Sequence, residues 1–159
     1  MDWYDITDKY HGLTLTQDGE LDSLSEEWQR ELAALWRLEA DVNNGGYLQF
    51  FVNWGASTNA YAIVALQKIG ATKMHKLISE SYATLSNATD TDRLTPAQML
   101  SLMPNPMIGK DGGMIKEAGS PLPPLVLEKL DDLSYQFMGY PEDLPELGLA
   151  YYQPFLDGK

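Results

Sequence analysis

Two histidines, no cysteines and twenty-three acids define the chemistry open to this 159-residue chain. Without cysteine there are no disulfides, thiolate metal sites or thiol nucleophiles. His11 and His75 lie far apart, neither is followed by a carboxylate at i+3 or i+4 as in an HExxH-type site, and the Glu-x-x-His of a carboxylate bundle is absent. No metal or cofactor is therefore assigned. No serine occupies a G-x-S-x-G elbow. Gly109-Lys110-Asp111-Gly112-Gly113 is glycine-rich but lacks the Lys-Ser/Thr order of a phosphate loop, and reads as a turn. The adjacent acids Glu26-Glu27, Asp131-Asp132 and Glu142-Asp143 point about 100° apart on a helix, so they form solvated faces rather than shared-proton pairs. Glu39 differs, because it falls on an apolar stripe. It is expected to be buried and hydrogen-bonded to Asn43, Asn44 or the amides that follow. No base stands beside it, so no catalytic residue is assigned.

The elements that must position these residues read as helices. Ser23 and Glu26 have capping-box spacing. Leu24, Trp28, Leu32, Leu35 and Val42 then share a face, predicting a helix that stops at Asn43-Asn44-Gly45-Gly46. A short aromatic helix with Tyr47, Phe50, Phe51 and Trp54 follows, and its amides Gln49 and Asn53 sit four apart. Gly55 should break it, with Ser57 or Thr58 capping the next helix and Gly70 ending that one. Met74 to Leu85 repeats at i, i+3, i+4 to about Ser86, followed by a polar loop at 87–92. Thr95-Pro96 predicts a short helix over 97–103. Residues 104–124, rich in proline and glycine, read as a long loop. Pro123-Pro124 launches a helix through Met138, and a last short one opens at Glu142 and closes at Pro154. Residues 1–22 form an N-terminal arm, helical or extended. No segment alternates as a strand should. The expectation is one all-α domain over residues 1–159, of six to eight helices.

Charge is uneven. Residues 1–41 hold eleven acids and three bases, a net of −8; residues 42–120 carry +1 and residues 121–159 carry −5. The total of −12 opposes direct binding to nucleic acid. No window is long and apolar enough to span a membrane. The acidic N-terminal stretch lacks a secretory pattern, which gives a cytoplasmic expectation.

From Leu35 to Asn53 the chain resembles a bacterial, all-helical domain family of largely unknown function. The resemblance rests on a Glu-x-x-Val-Asn-Asn-Gly-Gly-aromatic-x-Gln-aromatic-aromatic-x-Asn motif: Glu39, Val42, Asn43, Asn44, Gly45, Gly46, Tyr47, Gln49, Phe50, Phe51 and Asn53. It extends over about residues 24–156, with the 104–124 loop and Ser57-Thr58 as departures. That family includes an acidic DNA-mimic protein that binds a transcription factor in place of DNA.

The resemblance and the charge together imply a non-enzymatic interaction protein. Its partner would be a basic protein such as a DNA-binding regulator, and a homodimer is compatible with it. Helical carboxylates at i, i+3 or i+4 lie about 5–6 Å apart, close enough to imitate phosphates. One acidic row would come from Glu20, Asp22, Glu26, Glu27 and Glu31. A second would come from Glu128, Asp131, Asp132, Glu142, Asp143 and Glu146. The alternatives are a binding module whose acidity serves solubility alone and, further off, a hydrolase using Glu39.

Overall fold

A computed structural model describes residues 1–89, 102, 105–108, 114–118 and 122–158. The first helix, α1 (Trp3–Leu15), turns Trp3, Ile6, Thr7, Tyr10, His11 and Thr14 inward at helical spacing. Asp2 caps it by accepting from the Asp5 amide. The N-terminal arm is thus a helix with a full buried face. A 3-10 turn (Leu21–Ser23) leads into α2 (Glu27–Lys68), around which the domain is built. The Ser23–Glu26 capping box does not form. The Ser23 hydroxyl bonds the Glu20 carbonyl at 2.6 Å, and the Gln29 side chain instead accepts from the Glu26 amide, so the helix starts later than expected.

Within α2 the backbone leaves helical geometry twice, at Gly46 (φ 82°, ψ −179°) and Gly55 (φ 71°, ψ −170°). Residues with a Cβ avoid this region. The two glycines cut α2 into pieces 27–45, 47–54 and 56–68 that need not share an axis. The predicted breaks are present, the first at the second glycine of the Asn-Asn-Gly-Gly corner.

Helix α3 (Thr72–Thr89) runs three residues past the predicted stop, through the start of the expected loop at 87–92. The last two helices are α4 (Pro124–Met138) and α5 (Leu144–Leu156). Pro154 lies inside α5 rather than closing it, at the solvent-facing end of the final turn. Five α-helices occur among the described residues, fewer than the six to eight expected, because α2 is one run with two interruptions. The predicted helix 97–103 and the glycine turn 109–113 lie outside the described residues.

The 104–124 region departs from the expected loop. It contains an antiparallel pair, β1 (Asn105–Ile108) and β2 (Met114–Ala118), with Asn105 opposite Ala118, Met107 opposite Lys116, and an irregularity after Met107. Short strands interrupted by proline and lacking alternation give no period-2 signal.

Helices α1 and α4 pack on α2, α3 packs on both α2 and α4, and α5 lies along α1. The core where they meet contains Trp3, Leu32, Leu35, Leu38, Tyr47, Phe50, Phe51, Leu66, Met74, Phe137 and Tyr152, each almost fully buried.

Candidate partner surface and the network beneath it

Glu39 is 6% exposed, as its place on the apolar stripe predicted, but its partners differ from those expected. The Trp3 indole Nε1 donates to Oε2 at 2.8 Å and the Tyr140 hydroxyl donates to Oε1 at 3.0 Å. Asn43 reaches past the carboxylate: its Nδ2 donates to the Glu39 backbone carbonyl at 2.8 Å and to the Tyr140 oxygen at 2.9 Å. Asn44 is exposed. The corner therefore bends the chain, while an indole and a phenol from distant segments satisfy the carboxylate. With both oxygens accepting, Glu39 is a structural node.

Burial holds the Glu39 carboxyl above the usual carboxylate range, and the Trp3 and Tyr140 hydrogen bonds oppose that shift only in part. A raised folded pKa contributes stability below the unfolded value of about 4.3, lost as pH rises through the folded value. His11 titrates with the opposite sign. Burial and then the Arg37 charge lower its pKa to about 4, so stability is lost as pH falls from about 6.5 toward 4. Glu39→Gln removes the first contribution alone. Urea midpoints across this range should fall more steeply on acidification in Glu39→Gln than in the wild type. Identical pH profiles would show that Glu39 does not titrate differently on folding.

The other motif residues also serve the fold. The Gln49 side chain covers Gly45 so closely that a Cβ there would come within 1.9 Å of Oε1. Gln49 Nε2 and Asn53 Nδ2 donate to the two oxygens of Asp41, at 3.0 and 3.1 Å, folding the aromatic piece back on the piece before it. At Gly46 a Cβ would meet the Ser134 hydroxyl at 2.9 Å, and that hydroxyl accepts from the Tyr47 amide at 2.9 Å. The break in α2 is thus sealed by a side chain of α4.

A buried cation escaped the sequence reading. Arg37, 2% exposed, donates to Thr14 Oγ1 (2.9 Å), the Gly19 carbonyl (2.7 Å), Thr58 Oγ1 (3.1 Å) and His11 Nδ1 (3.4 Å), with its guanidinium 3.9 Å from the Trp54 ring centroid. His11 stacks on Trp36 at 3.7 Å. This ties the end of α1 to all three pieces of α2. Helical spacing places Arg37 off the Leu24–Val42 stripe, and the signal that could have found it is the inward face of α1.

Of the eleven acids expected to form a partner surface, nine are exposed: Glu20, Asp22, Glu26, Glu27, Glu128, Asp131, Asp132, Asp143 and Glu146. Glu31 is a correction: it is 1% exposed and holds Lys68 and the Tyr152 hydroxyl, because that side of α2 is covered by α5. Several others are engaged within the fold. Glu27 pairs with Lys68 at 2.9 Å, and Asp22 accepts from Tyr61. Glu142, half-buried, accepts from the Lys73 and Met74 amides at 2.9 and 3.0 Å and so caps α3. Asp143 caps α5 through the Glu146 amide.

The two rows omit a third group. Asp2, Asp5 and Asp8 are exposed at i, i+3, i+6 along α1, opposite its buried face. The spacing was visible in the sequence, but only a helix gives it one face. After burial itself, the charges of Glu39, Asp143 and Asp2 raise the pKa of exposed Tyr4. Asp143, at the head of α5, lies beside Tyr4 of α1. Tyr4, Tyr140, Glu142, Asp143 and Pro145 line a shallow cavity of about 310 Å³ there.

These features define a class: a small helical domain on a glycine-broken central helix, with carboxylates on its outer helices. A profile described as DMP19-like protein matches residues 22–154, and the chain belongs to that family. No curated protein and no solved structure matches the chain.

Proposed function

We propose that this chain is a non-enzymatic DNA mimic whose carboxylates occupy the DNA-binding surface of a basic partner, such as a transcriptional regulator. The observation that carries the reading is the set of exposed acids on two adjacent helices: Asp2, Asp5 and Asp8 along α1, and Asp143 and Glu146 at the head of α5. None of these five is in an ion pair among the described residues, and family membership points the same way. Glu20, Glu26, Glu128, Asp131 and Asp132 extend the negative surface. Such a partner puts the site of action in the cytoplasm. No helix among the described residues is long and apolar enough to cross a membrane.

The test is competition against operator DNA for purified DNA-binding regulators of the native cell. Wild-type protein should displace duplex from its regulator, with affinity falling steeply as salt rises. Replacing Asp5, Asp8 and Glu146 with their amides should weaken binding by roughly 3- to 150-fold, since exposed pairs contribute roughly 0.2–1 kcal/mol each. Displacement that ignores both salt and these substitutions would sink the reading. It would favour the second one, in which acidity serves solubility, and which draws support from the intramolecular duties of Glu27, Glu31 and Glu142.

A further inference from the structure

On the third piece of α2, Ala56, Asn59, Ala60, Ile63 and Val64 recur at i, i+3, i+4, i+7, i+8 and so share one face. With Tyr82 of α3 opposite, they line an open cavity of about 640 Å³. Small-molecule sites usually hold roughly 300–1,000 Å³. The described wall is mostly hydrocarbon and carries no charged side chain. Ala60 and Val64 are exposed, while Ala56 and Ile63 are half-buried. An edge-on contact with Phe51, ring centroids 5.4 Å apart, holds the Tyr82 ring as the far wall.

Asn59 is the exception in this lining. It is 3% exposed, yet its Oδ1 has no hydrogen-bond partner, and its Nδ2 makes no hydrogen bond among the described residues. Its equally buried neighbour Thr58, by contrast, accepts from Arg37. Burying an amide without partners costs stability, so such groups call for an explanation outside the fold's own bonding. An apolar cavity with one polar group converging on it has the make-up of a ligand site.

We propose that this cavity binds a small neutral molecule with a lactam edge, an N–H beside a carbonyl, on an apolar ring. The amide sets the edge. It presents one acceptor and one donor on the same carbon, and turning it over exchanges them without changing the requirement. A lactam answers both at once, while its ring covers Ala56, Ala60, Ile63 and Val64 and stands against Tyr82. A phosphate or carboxylate brings acceptors only, leaves Oδ1 unpaired and meets no cation in the described wall. An ammonium ion brings donors only and meets no anion there. A plain hydrocarbon leaves the whole amide unpaired.

The experiment titrates the bicyclic lactam carbostyril into the isotope-labelled full chain and follows amide resonances, beside N-methylcarbostyril, whose donor is blocked. The lactam should shift resonances of residues 56–64 and of Tyr82, and the methylated twin should bind at least about threefold more weakly, as the loss of one ordinary hydrogen bond implies. Asn59→Leu should abolish the shifts and leave the urea midpoint at or above the wild-type value, because it removes an unpaired buried amide. Asn59→Ala repeats the binding measurement without added bulk. Ala60→Arg, on the exposed rim, should block the cavity with circular dichroism unchanged. No binding of the lactam at millimolar concentration, as expected if solvent alone serves the amide, would overturn the proposal. So would equal binding of the twin, undiminished binding to the Asn59 variants, or a urea midpoint lowered in both of them, which would give the amide a duty in the fold. None of the α1 and α5 acids lines this cavity, so failure here leaves the DNA-mimic reading standing.

Discussion

Trp3→Ala is expected to lower the unfolding free energy by about 3–5 kcal/mol, the usual range for a large aromatic removed from a core. Trp3 is 1% exposed, and its ring lies against Gly148 of α5, where a Cβ would come within 2.1 Å of it. Alanine would leave a void between α1, α2 and α5 and strip the donor from Glu39 Oε2. Trp3→Phe removes the N–H donor while keeping much of the ring's packing, at about 1–3 kcal/mol for the lost hydrogen bond. Small domains hold about 5–15 kcal/mol in total, so the alanine variant should show a large drop in its urea midpoint. A loss below about 1 kcal/mol for alanine would mean that α1 is not docked in this way.

Gly46→Ala should cost about 2–4 kcal/mol, from backbone strain and the loss of one buried hydrogen bond. Its φ of 82° disfavours any Cβ, and the added carbon would push Ser134 away from the Tyr47 amide. Gly55→Ala is the control. It has nearly the same backbone geometry with nothing within 4 Å of the added carbon, so only strain of about 1–3 kcal/mol remains. Equal losses at the two positions in chemical denaturation would show that the Ser134 contact contributes nothing.

Much of this was legible from local pattern. The long stripe from Trp28 to Val42, the glycine breaks and the series after Met74 are periodic, and periodicity depends only on nearby residues. The burial of Glu39 was legible for the same reason. Its partners were not, because Trp3 and Tyr140 lie 36 and 101 positions away and packing alone brings them together. Glu31 was misassigned to the surface because the helix that covers it, α5, comes more than a hundred residues later. The α1 acids were missed because residues 1–22 could not be fixed as helix or extended arm. The hairpin had no alternation to announce it.

The placement of the Glu39 partners bears on how the chain is made. A ribosome delivers Glu39 and Trp3 early and Tyr140 only after α2, α3 and α4 have been synthesised. Until then Oε1 lacks its phenol, and burying a half-satisfied carboxylate is costly. The first half of the chain therefore gains little by closing ahead of the second. Long-range contacts of this kind slow folding and make it all-or-none. A nascent chain stalled before Tyr140 should expose the α1 contacts to protease, and one released past α5 should protect them.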